Sequence, residues 1–356
     1  QNPGGVWNAE GLWHLRFPGQ AAYLLPPLAH IDNGPSGLSY YPGTGLPDAY
    51  DGHFFLCHFK GLDTVSGIKM FSLQSKGASF SVGEMKELIW NVMPTDVDFG
   101  PDGHIYLSDW VSGWPKSERG RIYRLHHPDT VKSAIVKETQ RLLAEGMDHL
   151  SEENLARLLA HPDMRVRQEA QFEFADRGRS AVRSLVRVLK KGKNRFARIH
   201  SIWGLVQIAH QRPANLSILG YLVDFIQDSD AEIRAQVAKG LGGGFRPKET
   251  SESLVTLLGD TSLRVRFFAA MSVGKLGQSS SGKGILTMLR ENNDQDLYLR
   301  HAGVMALVGI GDRDALVAAS GDESAVVRMA VLLAYRKMED QGVSRFLSDA
   351  EPLLAV

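Results

Sequence analysis

The chain has 356 residues, a length that exceeds one typical domain and predicts two units. Its 40 Lys and Arg residues balance its 40 Asp and Glu residues, so no overall charge directs it to nucleic acid or to a membrane surface. The single cysteine, Cys57, excludes an internal disulfide and every Cys-x-x-Cys metal or haem motif. The sequence has no apolar run long enough for a membrane span and no secretion-signal pattern at its start. We therefore expect a soluble protein from which any export signal is already absent.

Residues 1–125 are rich in glycine and proline and contain short β-forming runs between turn signals. Three segments repeat there in the same order: 35–40 aligns with 94–99, 51–59 with 102–110, and 67–71 with 120–124. Each copy predicts three strands, with an Asp-Gly turn before the second, an arrangement typical of a β-propeller blade. A further strand is expected around residues 6–17. The region therefore predicts about two blades.

Polar residues occur where the innermost strand of each predicted blade begins and where the next strand ends. In a propeller these two points reach the same face, around the central channel. The predicted cofactor-binding residues at this face are Ser36, Thr95, Asp96 and Trp110, and the predicted catalytic residues are His58 and Asp109. Carboxylates bind hard metal ions better than neutral hydroxyls, so Asp96 and Asp109 are the predicted metal ligands and His58 is a candidate general base. The structural alternative is that the aspartates cap turns at the strand ends.

Segments 7–10, 34–38, 53–57, 94–103 and 108–110 resemble the planctomycete-type quinoprotein dehydrogenase-like proteins, which are related to soluble glucose and sorbosone dehydrogenases. The resemblance implies a propeller followed by HEAT-like repeats, oxidation of a sugar or alcohol with pyrroloquinoline quinone (PQQ) and calcium, and a periplasmic or secreted location. It also implies oxygen ligands at Ser36 and Thr95, whereas the aspartate common in these proteins is replaced by His58. Because a closed propeller needs at least four blades, we expect the C-terminal part of such a protein, with an incomplete catalytic centre.

Residues 129–147 predict an amphipathic helix that ends at Gly146 and links the two halves. The expected fold class is therefore multidomain β + α. It combines partial β-propeller blades in residues 1–125, a linking helix in 126–150 and an α-solenoid of HEAT-like repeats in 151–356.

Six arginines in the second half, 28 to 36 residues apart, set the register of an internal repeat. They are Arg167, Arg198, Arg234, Arg266, Arg300 and Arg328. An apolar residue precedes each arginine, a small or β-branched residue follows it by three positions, and an apolar residue follows it by seven, which is the stripe of an amphipathic helix. Four positions before the arginines stand predicted helix caps, namely Asp163, Asn194, Asp230, Ser262, Asp296 and Ser324. With a shorter apolar segment upstream of the caps, the units are helical hairpins that resemble HEAT repeats.

The repeated arginines have two interpretations, an anion-binding ladder or a structural role in which each guanidinium binds a carboxylate or carbonyl of a neighbour. The structural role is typical of such repeats. A basic cluster over 183–198 could in addition contact an acidic partner or phosphates. Its predicted partner-binding residues are Arg183, Arg187, Lys190, Lys191 and Arg195. The alternative is a solvated hairpin face, because side chains suited to base contact are not interleaved with the cations.

These patterns support two hypotheses for function. In the first, the chain is the C-terminal portion of a sugar or alcohol dehydrogenase-like protein, and its solenoid is a protein-interaction scaffold. A sugar substrate would then bind at the propeller face. In the second, the chain is a non-enzymatic protein-binding module. Binding of nucleic acid by the 183–198 hairpin is a less favoured variant of the second.

Overall fold

The computed structural model of the protein describes residues 28–29, 31, 34–111, 118–245 and 247–355. The strand predicted around residues 6–17 and the family resemblance in 7–10 lie outside the described residues. The chain separates into two compact units. The first contains residues 27–76 and 80–177, and the second contains the helices from residue 178 onward.

Two sheets of antiparallel strand pairs form the β region. In the four-stranded sheet the spatial order follows the chain, from β1 (Pro35–Tyr40) through β2 (His53–His58) and β3 (Gly67–Lys76) to β4 (Ser79–Trp90). The three-stranded sheet has the same simple order, β5 (Pro94–Phe99), β6 (Ile105–Asp109) and β7 (Arg121–Leu125). Within the described residues neither sheet closes into a barrel or a propeller. The strands predicted within residues 35–125 are confirmed, and a propeller is not shown.

The two sheets repeat one register at equivalent positions. Pro35 pairs with His58 in the first sheet, and Pro94 pairs with Asp109 in the second. A register shift follows each of the two prolines. The Asp-Gly turns before β2 and β6 place glycine at φ values of 75° and 78°, which residues with a Cβ rarely adopt. The internal repeat inferred from the sequence is therefore a structural repeat.

A single apolar core lies between the two sheets. Side chains alternate along a strand, so Phe55 and Cys57 of β2, Val97 of β5 and Leu107 of β6 all point inward, and each is at most 3% exposed. The ring of Phe55 meets that of Phe99 edge-on at 5.0 Å between centroids. Cys57 is thus a small apolar residue of the core, and burial raises the pKa of its thiol to about 12.

Three helices complete the first unit, namely α1 (Ala134–Glu145), α2 (Glu152–Leu158) and α3 (Met164–Arg177). Helix α1 ends before Gly146, which has a φ of 75°, so the predicted stop is present, whereas the helix begins at Ala134 rather than near residue 129. The backbone N–H of Met164 donates to the carbonyl of Pro42 at 2.8 Å, which places the start of α3 against the loop after β1. The first predicted helical hairpin, α2 with α3, thus lies in the same compact unit as the sheets.

The second unit continues the hairpins. Its α-helices are α4 (Val182–Lys191), α5 (Arg195–Gln211), α6 (Ala231–Leu241), α7 (Lys248–Leu257), α8 (Leu263–Leu276), α9 (Gly282–Asn292), α10 (Leu297–Ile310), α11 (Arg313–Ala319) and α12 (Ala325–Lys337). Helices α5, α6, α8, α10 and α12, the second of each hairpin, pack on one another in succession. The element before α6 is a 3₁₀ segment, Pro213–Phe225, rather than the expected α-helix. No helix in the described part of the chain is long and apolar enough to cross a membrane.

The repeat register explains how the hairpins pack. The residue before each of the six arginines is at most 4% exposed, as the predicted stripe requires. Five of the six predicted caps accept a hydrogen bond from a backbone N–H in the first turn of their helix, at Asp163, Asn194, Asp230, Asp296 and Ser324. Ser262 is the N-cap residue of α8 with an extended backbone, as predicted, but its side chain makes no such bond.

Candidate functional sites

The strand-end residues predicted from the sequence lie at matching edges of the two sheets. The hydroxyl of Ser36 donates to the carbonyl of Pro94 at 2.9 Å, which joins the starts of β1 and β5. The rings of Phe59 and Trp110, which follow β2 and β6, meet edge-on at 6.2 Å. The structure therefore brings the ends of these four strands together, as the sequence predicts. It does not by itself give these residues a role in chemistry.

The acidic residues at this edge are engaged with the backbone. One carboxylate oxygen of Asp109 accepts hydrogen bonds from the N–H groups of Met93, at 3.0 Å, and Val111, at 3.3 Å, and the residue is 7% exposed. Asp96 accepts from the N–H of Val97 at 2.9 Å. These bonds hold the backbone at the strand ends, which is the structural alternative for both aspartates.

The other predicted residues of this edge are polar contacts or covered side chains. The hydroxyls of Thr95 and Ser108 lie 2.8 Å apart and share a hydrogen bond. His58 is 1% exposed, and its ring stacks on the indole of Trp90 at 5.9 Å. The imidazole is therefore covered by the protein. The general-base role of His58 stays a prediction.

The same edge does not fit a calcium ion. Calcium takes six to eight oxygen ligands, several of them carboxylates. Within the ranges that the structure describes, no three His, Cys, Asp or Glu side chains gather where they could hold a metal. One carboxylate oxygen of Asp96 and one of Asp109 already accept hydrogen bonds from backbone N–H groups.

The six arginines of the repeat are structural. Arg234 binds Asp260 through two hydrogen bonds, from Nε at 2.7 Å and from Nη2 at 2.9 Å. Arg198 binds Asp228 in the same two-pronged way, and Arg328 binds Asp349. Arg167 donates to the carbonyls of His161 and Pro162. Arg266 donates to the carbonyl of Asp260 and to the carboxylate of Glu291. Arg300 donates to the carboxylate of Asp294. The structural interpretation is confirmed, and an anion-binding ladder is not available because the guanidinium groups already have acceptors.

The aspartates that receive these arginines were missed by the sequence analysis. A signal for them exists, because an aspartate stands six positions before four of the six arginines, at Asp228, Asp260, Asp294 and Asp322. Burial raises the pKa of Asp228 and Asp260, but hydrogen bonds from Arg198 and Arg234 and from nearby backbone N–H groups outweigh it, so both pKa values lie below the usual range. Their carboxylates are therefore permanent anions at neutral pH.

The basic cluster over 183–198 is divided between two helices, α4 and α5. Helix α4 buries Val182, Leu185 and Leu189. It exposes Arg183, Arg187, Lys190 and Lys191. Arg195, on α5, is also largely exposed, but its Nε donates to the carboxylate of Asp230 at 2.5 Å. Four of the five predicted partner-binding residues thus share one helix face, and the fifth belongs to an ion pair. Partner binding by all five stays a prediction.

A second surface was not found from the sequence. We call it the aromatic face; it consists of Trp203 on α5, Glu232 and Gln236 on α6, and Arg264 and Phe268 on α8. The indole N–H of Trp203 donates to Gln236 at 2.9 Å, and Gln236 donates to Glu232 at 2.6 Å. Arg264 donates to the same glutamate at 2.8 Å and lies 5.0 Å from the ring centroid of Phe268. One continuous chain of contacts therefore crosses α5, α6 and α8, which pack on one another in this order.

Known proteins resemble the helical part of the chain. A family model of HEAT repeats matches residues 219–297. No curated protein matches the chain. Similar solved structures include an engineered protein, at 18% identity and a TM-score of 0.35, over 53% of this chain and 98% of that one. The complex of CpcE and CpcF of phycocyanin lyase from Nostoc sp. is 17% identical, with a TM-score of 0.36, over 49% of this chain and 72% of that one. A designed armadillo repeat protein in complex with the peptide (KR)4 is 18% identical, with a TM-score of 0.28, over 56% and 93%.

Proposed function

We propose that the second unit is a protein-binding module that holds a segment of its partner against the aromatic face. The HEAT-repeat match and the succession of packed hairpins support a scaffold of this kind. The observation that carries the proposal is Trp203, whose ring stays 38% exposed while its N–H is hydrogen-bonded to Gln236. A large aromatic side chain is thus kept at the surface in one fixed orientation.

Fixed aromatic residues are effective binding groups for a physical reason. Tryptophan, tyrosine and arginine are enriched among the residues that contribute most of the free energy at protein interfaces. The rings of tryptophan and tyrosine also bury a large area for only two rotatable side-chain bonds. A residue that is already ordered in the unbound protein loses less conformational entropy when the partner arrives. Gln236 orders Trp203 in this way, and the ion pair with Glu232 orders Arg264 over Phe268. The aromatic face therefore combines anchors with preorganisation.

Peptide selection tests the proposal. A random-peptide phage library is panned against the whole chain, and the affinity of an enriched consensus peptide is measured by fluorescence anisotropy. Trp203→Ala should weaken binding by about 30-fold, equivalent to about 2 kcal/mol. Gln236→Leu, which leaves the ring in place but removes its orienting bond, should weaken binding by a smaller factor.

Tyr221→Ala is the matched control. Tyr221 is 49% exposed, but it lies in the 3₁₀ segment rather than on the aromatic face. Binding to this variant should equal that of the wild type. If no consensus peptide emerges, or if Trp203→Ala and Tyr221→Ala weaken binding equally, the aromatic face is not the binding surface.

Oxidation of a sugar or alcohol with PQQ and calcium is a second proposal, with narrower support. It rests on the repeated register that places His58 and Asp109 at equivalent strand ends. The carboxylate bonds described above oppose a calcium site among the described residues. Dye reduction with added PQQ, calcium and a panel of aldoses and alcohols tests it, and absence of turnover would remove the proposal for this chain. A periplasmic or secreted location depends on the same family resemblance and stays a prediction.

A further inference from the structure

One stretch of the chain is strongly basic although the whole chain is neutral. Residues 177–223 contain no aspartate or glutamate. Their cations are Arg177, Arg179, Arg183, Arg187, Lys190, Lys191, Lys193, Arg195, Arg198 and Arg212. Charge of one sign concentrated in this way requires either acceptors from elsewhere in the protein or a surface that solvent screens.

Some of these cations have acceptors within the protein. Arg177 binds Glu173 at 2.7 Å, and Arg179 binds the side chain of Asn215 at 3.1 Å. Arg195 and Arg198 bind aspartates of the next repeat, as described above. The cations without such acceptors lie mainly on α4. Among the described residues no hydrogen bond or ion pair engages the side chains of Arg183, Arg187, Lys190, Lys191 or Lys193.

This pattern differs from the rest of the second unit. Seven arginines beyond residue 230 each bind a carboxylate, namely Arg234, Arg264, Arg266, Arg290, Arg300, Arg313 and Arg328. Most arginines beyond residue 230 are therefore paired with a carboxylate of the same unit. Helix α4 differs, because it carries four exposed cations on ten residues.

The four cations form one surface, which we call the α4 face. Residues 183, 187, 190 and 191 are spaced by four, three and one positions, so they follow one side of the helix, opposite the buried Leu185 and Leu189. The face is about 12 Å long at 1.5 Å per residue. An extended peptide of four residues spans about 13 Å. Two arginines that can bind carboxylates through paired hydrogen bonds stand at one end of it, and two lysines stand at the other.

We propose that the α4 face binds an acidic segment of a partner protein. This inference rests on the proposed function, protein binding by the helical unit, and adds the charge of the partner and a second contact surface. An acidic segment supplies the carboxylates that this helix lacks and that the other repeats supply internally. The face itself offers nothing for base recognition, since its other exposed or half-exposed side chains are Ser184, Val186 and Val188. Nucleic acid held through phosphates alone is the competing outcome.

The test uses the whole chain and a labelled octapeptide of alternating Glu and Asp, followed by fluorescence anisotropy at low and at physiological salt. The variant R183Q/R187Q/K190Q/K191Q removes the four positive charges of the α4 face. The control K132Q/K137Q/K275Q/K283Q also removes four exposed positive charges, all of them lysines outside the α4 face. At physiological salt we expect the first variant to weaken binding at least about tenfold and the control to weaken it less than twofold, because charges more than about 8 Å apart are largely screened there. Circular dichroism melts check that both variants fold.

Each other result contradicts the inference. If wild type does not bind the acidic peptide at low salt, or if both variants lose affinity equally, the α4 face has no specific role. If a duplex DNA oligonucleotide binds more tightly than the peptide and displaces it, the face binds phosphates. If a library-selected peptide still requires Trp203 while the acidic peptide binds the charge variant normally, the proposed function stands and the acidic partner does not.

Discussion

The buried carboxylate of Asp163 accepts a hydrogen bond from the hydroxyl of Thr44, 119 residues earlier in the chain. Asp163 is fully buried, and its carboxylate also binds Nε and Nη2 of Arg165 at 3.0 and 2.8 Å. Burial raises the pKa of Asp163, but the bonds from Arg165 and Thr44 outweigh it, so the pKa lies below the usual range. Arg165 in turn donates to the carbonyl of Phe99 at the end of β5. Asp163, just before α3, and Arg165, in the first turn of α3, thus join the first helical hairpin to both sheets within the first unit.

We expect Asp163→Ala to destabilise the first unit by about 2–4 kcal/mol, because it leaves the half-buried Arg165 and the hydroxyl of Thr44 without their acceptor. Hydrogen exchange is the measurement. Protection should fall together in the loop after β1 and in helices α2 and α3. Asp314→Ala, at an exposed aspartate in the first turn of α11, is the control and should change protection very little. Loss confined to α3 would show that the hairpin and the sheets do not unfold together.

The sequence predicted the local part of this arrangement and not the long-range part. Spacing alone identified Asp163 as the cap of α3, because capping depends on residues a few positions apart. No local pattern encodes its contact with Thr44. The same division holds at the strand ends, where the repeated strings predicted that Ser36 and His58 lie at one face but not the stacking of His58 on Trp90. Trp203 was missed because a residue on the outer side of a helix carries no periodic signal, and Pro213 begins a 3₁₀ segment where apolar spacing predicted an α-helix.

The arginines of the repeat should not tolerate lysine. Arg234 holds Asp260 through two bonds and also donates to the carbonyl of Asp228 at 2.7 Å, and a lysine cannot satisfy this planar set. Arg234→Lys should lower the free energy of unfolding in urea by about 1–3 kcal/mol. Arg195→Lys is the matched control. Its ion pair has a single bond and its side chain is 62% exposed, so the loss should stay below about 0.5 kcal/mol. Equal losses would mean that the two-bond geometry contributes nothing.

Acid should destabilise the second unit through the same aspartates. The folded-state pKa values of Asp228 and Asp260 are lowered, so their contribution is fully present above the unfolded-state pKa near 4 and is lost as the pH falls through the folded-state values. Asp260→Asn should therefore be less stable than wild type at pH 7, and the difference should shrink below about pH 4. Urea unfolding of both proteins across this range provides the measurement. A difference that stays constant with pH would show that the charge of Asp260 is not what stabilises the fold.

Gly309 of α10 lies close against the backbone of Gly274 of α8. A Cβ at position 309 would lie 2.3 Å from the carbonyl oxygen of Gly274, and a backbone carbonyl cannot rotate aside as a side chain can. Gly309→Ala should therefore force α8 and α10 apart and destabilise the unit by about 1–3 kcal/mol in thermal or urea unfolding, although alanine favours helix more than glycine does.

Gly282→Ala separates the packing effect from helix propensity. Gly282 opens α9 with helical backbone angles, and a Cβ there would meet nothing within 4 Å. This variant should be more stable than wild type by about 0.4–1 kcal/mol, because the substitution restricts only the unfolded chain. If Gly309→Ala lowers the free energy of unfolding and Gly282→Ala raises it, the loss at Gly309 comes from the contact between α8 and α10. The same sign at both would mean that these helices can separate without cost, and that their packing does not fix the spacing of the repeats.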